Sequence, residues 1–254
     1  MTESLAELAN RSWRDSYRKL VTDVGGEWRD FGSLGAFVSP IPLALANGCL
    51  ALEPAAPADL VAAVAWLDVA EVSYRVRIDE VRAPGLIEAS ERLGLVRATE
   101  ALPGMVLRPI LQSPPAPDGV SVARVDHANY DMYVELMIAT GVPAPWAGPL
   151  FPRDVIDDAD SAAFIGLLDG RPAGTSLVVR TGDLAGIFAV GTVESARRRG
   201  VGRAVTWAAA AAARDWGCQA VVLQASEMGF PIYRAMGFEP VVDYTRYMRP
   251  PPAA

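Results

Sequence analysis

The sequence predicts a mixed α/β (α+β) fold, a largely antiparallel twisted sheet flanked by helices and arranged as two tandem domains. Three observations carry that expectation. The segment Gln112-Ser113-Pro114-Pro115-Ala116-Pro117-Asp118-Gly119 divides the chain nearly in half, and its prolines deny both helix and ladder hydrogen bonds. Beyond it, three apolar runs joined by Asp169-Gly170 and Gly182-Asp183 have the pattern of a hairpin meander. An arginine- and glycine-rich stretch then opens an unusually alanine-rich helix. The expected division is residues 1–112, a linker at 113–118, and residues 119–254.

In the second half, Val120 to Val125 alternates as a strand, and Asp126 is placed to cap a helix through Ala139 with Tyr130, Tyr133 and Met137 on its apolar stripe. A proline-rich segment, Pro143 to Pro152, intervenes. Ala163 to Leu168 and Ala173 to Val179 form the first hairpin, and Leu184 to Val190 returns as the third strand. The helix from about Val201 to Trp216 ends at Gly217, where glycine accepts the left-handed conformation. Ala220 to Gln224 is a continuous apolar run and reads as a buried strand. Met228 to Met236 reads as a short helix ended by Gly237, followed by two final strands around Asp243-Tyr244.

The first half repeats part of this plan in degenerate form. Leu93-Gly94-Leu95 aligns with Met236-Gly237-Phe238, and the same offset carries Met105 onto Met248. Leu102 to Leu107 falls where Tyr244 to Arg249 falls later, and a strand over Val72 to Ile78 parallels Ala220 to Gln224. This is the signature of a tandem duplication. Nothing in the first half matches the arginine-glycine stretch, so a duplicated first half has lost that chemistry.

Composition narrows the partners. The 254 residues are 51% hydrophobic and carry a net charge of −7, which argues against broad binding to nucleic acid or anionic membranes. Lys19 is the only lysine, so the cluster Arg197 to Arg199 stands out against an acidic background. Cys49 and Cys218 lie in apolar or small-residue surroundings without metal-ligand spacing, and no metal is expected. Met1 to Lys19 is charged throughout, unlike a signal peptide, and no run reaches a membrane span of about 20 apolar residues. A cytoplasmic protein is expected.

A glycine-rich turn between a strand and a helix presents several amides at the positive end of the helix dipole and holds a diphosphate without a metal. A P-loop requires a Gly-Lys-Ser/Thr ending that this chain lacks. A dinucleotide fingerprint requires a third glycine where Val205 stands, and a parallel unit where a meander stands. What remains is Arg197-x-x-Gly200-x-Gly202, then Gln224-Ala225-Ser226-Glu227, then Ile232-Tyr233-Arg234-Ala235-Met236-Gly237-Phe238. Two motifs in this order, separated by one helix and one strand, resemble the acyl-CoA signature of the GNAT superfamily of N-acyltransferases, strongly over residues 119–250 and weakly over 25–110.

That resemblance implies a GNAT-like fold and direct transfer, with acetyl-CoA as cosubstrate and the amine of a small molecule or amino terminus attacking the thioester. It implies that the backbone of Arg197, Arg198, Arg199, Gly200, Val201, Gly202, Arg203 and Ala204 holds the pyrophosphate. Val190 and Thr192 at the end of the third meander strand, and Ser226, are implied to contact the cofactor. Tyr233 matches the family tyrosine that protonates the departing thiolate. Many family members carry a glutamate on the third meander strand, yet Ile187-Phe188-Ala189-Val190 offers no carboxylate. A water chain ending at a backbone carbonyl, at Glu227 or at Glu135 would then take the proton, and Glu227 is the candidate carried here with Tyr233. His127 at a helix start reads as a surface or capping residue. Val142, Pro145, Trp146, Leu150 and Phe151 would bound the acceptor, with Asp154, Asp157 and Asp158 attracting a cationic amine, and Ser39 to Pro42 with Asn47-Gly48 as a further wall. The alternative reading is a non-catalytic acyl-CoA sensor.

Overall fold

The computed structural model describes residues 3–99 and 102–249. In chain order the elements are α1 (Leu5–Asp23), β1 (Glu27–Phe31), β2 (Leu34–Val38), β3 (Gly48–Ala51), α2 (Pro57–Val69), β4 (Arg75–Asp79), α3 (Gly85–Arg92), β5 (Val96–Arg97) and β6 (Leu102–Leu107). There follow β7 (Val120–Arg124), α4 (Tyr130–Ala139), α5 (Ala144–Leu150), α6 (Arg153–Ile156), β8 (Ser161–Leu168), β9 (Arg171–Thr181) and β10 (Leu184–Thr192). The last are α7 (Val201–Asp215), β11 (Ala220–Gln224), α8 (Phe230–Ala235) and β12 (Glu239–Met248). These make two compact units. The first takes residues up to Gly104 together with Gln224–Ser226 and the stretch from Pro240 onward; the second takes Met105–Leu223 and Glu227–Glu239. The outermost residues of the expected domains, 1–2 and 250–254, lie outside the described residues.

In the first unit, α1 opens with a capping box: the Glu7 amide donates to Ser4 Oγ at 3.3 Å while the Ser4 amide donates to the Glu7 carboxylate at 2.8 Å. The strands run β1-β2-β3-β4-β12, antiparallel except for the parallel pair β3/β4, with β5 added to β12. Alternation along β4 divides the unit into layers. Val76 and Ile78 enter a core with Leu60, Val64 and Leu67 of α2 and Leu86 and Ala89 of α3. Arg77 faces the other way, toward Trp13 and Tyr17 of α1.

The end of the chain departs from its sequence-based reading. Instead of two strands around Asp243-Tyr244, one strand runs through, pairing Tyr244 with Asp79 and Met248 with Arg75. Asp243 is exposed and Tyr244 buried, so the aspartate points to solvent within an ordinary alternation and makes no turn.

The second unit is the expected meander. β7, β8, β9 and β10 pair antiparallel in sequence order, and β11 joins parallel to β10. Asp169 and Gly170 have φ of 50° and 75°, the two left-handed positions that match a tight turn to strand twist. The helix predicted to start at Asp126 starts later. Asp126 accepts the amides of Ala128 and Asn129 in a turn of its own, and the helix proper begins after Asn129. Pro143 to Pro152 contains a short helix, with Pro143 as its flanking residue and Pro145 in its first turn, where a missing N–H costs nothing. Among the described residues no helix is long and apolar enough to cross a membrane.

Candidate active site

The arginine-glycine stretch is shaped by two left-handed residues. Arg198 has φ of 60° and Gly200 of 85°, and left-handed residues at such close spacing turn successive amides toward one concavity, an anion nest. None of the amides from Arg198 to Arg203 donates to a protein acceptor among the described residues, whereas the Ala204 amide closes the first turn of α7 on the Gly200 carbonyl at 3.0 Å. The fifteen-residue helix α7 adds its positive end at the same place. The side chains of Arg197, Arg198, Arg199 and Arg203 are exposed and surround the nest with positive charge.

Glycines elsewhere bring α7 down onto the sheet. A Cβ on Gly166 would stand 2.8 Å from methyls of both Val201 and Val205, and one on Gly174 would stand 2.8 Å from Val201. Val201, buried to 1% exposure, is therefore seated in a groove that only glycine strands leave. Ser176 on β9 donates to the Val205 carbonyl at 2.8 Å and pins the helix. A Cβ on Gly202 would lie 3.0 Å from Thr192 Oγ1, so the first turn of α7 runs against the end of β10.

That end of β10 is bulged. Phe188 pairs with Leu177 but Gly191 pairs with Thr175, which leaves an extra residue on β10, and Ala189 there has φ of 49°. The Ala189 carbonyl accepts the Thr175 hydroxyl at 2.9 Å. A bulge breaks the ladder and re-aims its backbone groups, here at Val190, between Ala189 and the turn that leads to the nest. β10 and β11 pair only from Leu184/Ala220 to Gly186/Val222, so the strands part beyond Gly186. Nothing in the sequence flags this bulge, because alanine carries no mark of a left-handed backbone.

Tyr233 stands on α8 and is buried beside Phe238, ring centroids 5.8 Å apart. Burial pushes its phenol up to about 12, partly offset by the Thr206 hydroxyl that faces it. The phenol is thus a hydrogen-bond donor throughout the neutral range. Thr206, fully buried on α7, also donates to the Gly202 carbonyl at 2.8 Å, so one hydroxyl stands between the nest and the tyrosine. Sequence reasoning missed it: threonine inside a helix reads only as a weak helix former.

The remaining candidates are less enclosed. Glu227 is exposed in the turn before α8 and does not cap it; Gly229 takes the capping position. Glu135 is exposed on α4. Ser226 falls with Gln224 and Ala225 in the first unit, where the Ala225 amide donates to the Pro103 carbonyl at 2.9 Å. His127 is exposed, 3.3 Å from Asp157, so that aspartate faces a histidine as well as solvent. Trp146 and Leu150 are half-buried and Phe151 buried. Tyr130 ties this segment to α4 by donating to the Phe151 carbonyl at 3.1 Å. No cluster of three or more His, Cys, Asp or Glu side chains suited to a metal ion occurs among the described residues.

The first unit has a counterpart to one motif and none to the other. Phe238 and Gly237 donate to the Tyr233 and Arg234 carbonyls, and Leu95 and Gly94 donate to the Ser90 and Glu91 carbonyls in the same pattern. Both helices close in this way on a left-handed glycine. The helix α2, however, opens on Pro54-Ala55-Ala56-Pro57, where two residues have no amide to give, and Asp59 adds negative charge to its first turn. No anion cradle exists there.

Residues 130–238 match the model of the acetyltransferase (GNAT) family. No curated protein matches the chain. Among solved structures, a GCN5-related N-acetyltransferase from Kribbella flavida superposes with a TM-score of 0.75 at 23% identity, covering 96% of each chain. A GCN5-related N-acetyltransferase from Sphaerobacter thermophilus gives 0.62 at 14%, covering 87% of this chain and 82% of that one. A tandem GNAT protein from the clavulanic acid biosynthesis pathway gives 0.59 at 14%, covering 87% and 79%. The likenesses are of fold, and the motifs lie inside the segment, residues 130–238, that matches the acetyltransferase (GNAT) family model.

Proposed function

We propose that this protein is an N-acetyltransferase that moves an acetyl group from acetyl-CoA to the amine of a small molecule or an amino terminus. The observation that carries the reading is the nest from Arg198 to Arg203, six amides without a protein acceptor among the described residues, at the start of α7 beside the bulged end of β10. In this reading the nest holds the pyrophosphate, the arginines 197, 198, 199 and 203 add long-range attraction, and Val201 anchors the turn from below. Backbone groups of Val190 and Thr192 line the acyl arm, where an amide directed at the thioester oxygen supplies oxyanion-type stabilisation. The thioester supplies an activated acyl group, and Tyr233 donates a proton or a hydrogen bond to the departing sulfur. Ser226 and Glu227 complete the set, Glu227 as the terminus of a water-mediated proton path. The expected domain plan belongs to the same proposal: a degenerate half at 1–112, a linker at 113–118, and the acetyl-CoA-binding half at 119–254, in the cytoplasm and without metal.

A second reading, a non-catalytic acyl-CoA sensor, draws support from β10, which carries no carboxylate between Ile187 and Val190, and from the exposure of Glu227. The two readings part in a thiol-release assay. Acetyl-CoA is incubated with the protein and a panel of amines, amino acids and peptides; the enzyme releases CoA with at least one acceptor above the no-acceptor rate, whereas a wholly silent panel supports the sensor.

A further inference from the structure

We infer that the proline-rich segment ahead of β7 is a wall of the pyrophosphate nest, and that its Pro117 is a positioning residue that holds Gly200 in the binding conformation. The inference rests on the acetyl-CoA reading and adds to it a residue from outside the arginine-glycine stretch. The segment belongs to the second unit. Prolines 114, 115 and 117 fix their own φ angles and have no amide to donate, so the segment runs as a stiff, extended strap.

Three contacts lay the strap along α7. At one end Ser113 Oγ donates to the Trp207 carbonyl at 3.3 Å. At the other, a Cβ on Gly200 would stand 2.7 Å from Pro117 Cγ and 3.6 Å from both Pro117 Cβ and Cδ, so the ring lies directly over the glycine. Just beyond, Val120 enters a core cluster with Val201 and Ala204 of the first turn of α7, and its amide donates to the Pro117 carbonyl at 3.0 Å. The two runs match in length and lie antiparallel. The helix rises about 10 Å from Gly200 to Trp207, and extended chain from Ser113 to Pro117 spans about 12 Å. Gly119 then gives its carbonyl to the Asp169 amide at 2.7 Å, and the Asp169 carboxylate lies 3.9 Å from Arg199.

The nest needs such a support. Arg198 is left-handed without being glycine, a conformation that persists only where the surroundings hold it. Gly200, left alone, samples both signs of φ as well as the extended conformation usual for a helix cap, and only the left-handed one turns its amide into the nest with that of Arg198. Glycines 166 and 174 of the sheet seat Val201 but are not what touches Gly200: the three nearest heavy atoms to a Cβ there all belong to Pro117. Without the ring the binding conformation is one among several, and the apparent affinity falls in proportion to its share of the population.

The test is calorimetric titration of acetyl-CoA into the full chain and into its Pro117→Gly and Pro117→Val variants. The parent binds saturably. Pro117→Gly loses at least fivefold in affinity, whereas Pro117→Val, whose γ-methyls still reach Gly200, stays within twofold, and the circular dichroism spectrum is the same in all three. A parent that does not bind acetyl-CoA overturns the acetyl-CoA reading and this inference with it. A parent that binds, beside a glycine variant that loses less than fivefold, overturns this inference alone. A loss as large in the valine variant as in the glycine variant also overturns it alone, because chain stiffness and not the ring's contact then governs the nest. Should Pro117→Gly fail to fold, Pro117→Ala, which removes Cγ and Cδ from above Gly200, takes its place with the same thresholds.

Discussion

Thr206 and Tyr233 come from different helices of the second unit, yet the Thr206 hydroxyl faces the Tyr233 phenol while it donates to the Gly202 carbonyl at 2.8 Å. The threonine has a single proton. Its hydroxyl therefore links the first turn of α7 to the phenol and helps to position the Tyr233 side chain. Thr206→Val keeps the shape and removes the hydroxyl. It is expected to lower kcat by about tenfold, the scale of one lost hydrogen bond, with KM for acetyl-CoA within about twofold. Steady-state kinetics with any active acceptor checks this, and an unchanged kcat removes Thr206 from the positioning of Tyr233.

Removing the phenol itself makes the sharper claim. Tyr233→Phe leaves the nest untouched, so affinity for CoA stays nearly intact while turnover falls by about 10²-fold or more, the lower range for a positioned general acid. Calorimetry for binding and thiol release for turnover separate the two quantities. Equal turnover in the variant contradicts a proton-donating role.

The bulge at Ala189 separates strain from packing. Its φ of 49° is a left-handed position, where a β-branched side chain costs roughly 1–2 kcal/mol and glycine costs little. Ala189→Val is therefore expected to lower stability by roughly that amount in denaturant melts, and Ala189→Gly to stay within about 1 kcal/mol of the parent. If Val190 directs an amide at the thioester, the valine variant also loses kcat while its CoA affinity holds. A valine variant of full stability and activity would show that the bulge is not held as described.

Alkaline pH reads the burial of Tyr233. Its phenol moves from an ordinary 10.0 to about 12 on folding because burial disfavours the phenolate. The folded state then holds a proton that the unfolded state releases, so stability is complete below about pH 10 and falls as pH rises toward 12, by about 1.4 kcal/mol per pH unit for one such group. Denaturant melts from pH 9 to 12 should show a shallower fall in Tyr233→Phe than in the parent, and identical slopes contradict the burial assigned to this residue. Tyr74, Tyr133 and Tyr244 are raised in the same direction and by the same cause, burial, so the alkaline fall persists in the variant.

Much of the second unit was legible because its turns are written in glycine. Asp169-Gly170, Gly182, Gly217 and Gly237 all mark left-handed positions, and the strand and helix ends follow within a residue or two. The features that escaped are those set by distant partners or by ordinary residues in unusual conformations. Asp243-Tyr244 reads as a turn until β4 is placed beside it, since the ladder with Arg75–Asp79 forms between segments far apart in sequence. Ala189 adopts the backbone of a glycine without being one. Of the candidate site, the backbone motif and Tyr233 were readable as types at a spacing, whereas Thr206 became visible only when α7 and α8 were set side by side. No residue pattern marked a proton acceptor, because β10 carries no carboxylate between Ile187 and Val190.

Calorimetric titration of acetyl-CoA into the parent protein and into Gly202→Trp decides whether the nest opening α7 holds the pyrophosphate of acetyl-CoA. A Cβ at Gly202 already reaches 3.0 Å from Thr192 Oγ1, so a bulky side chain there must fill the mouth of the nest. The parent is expected to bind saturably and the variant to lose about 100-fold or more in affinity, roughly the 3 kcal/mol of two charge-assisted hydrogen bonds, with the fold preserved. Affinity for acetyl-CoA that is the same in both proteins would contradict it.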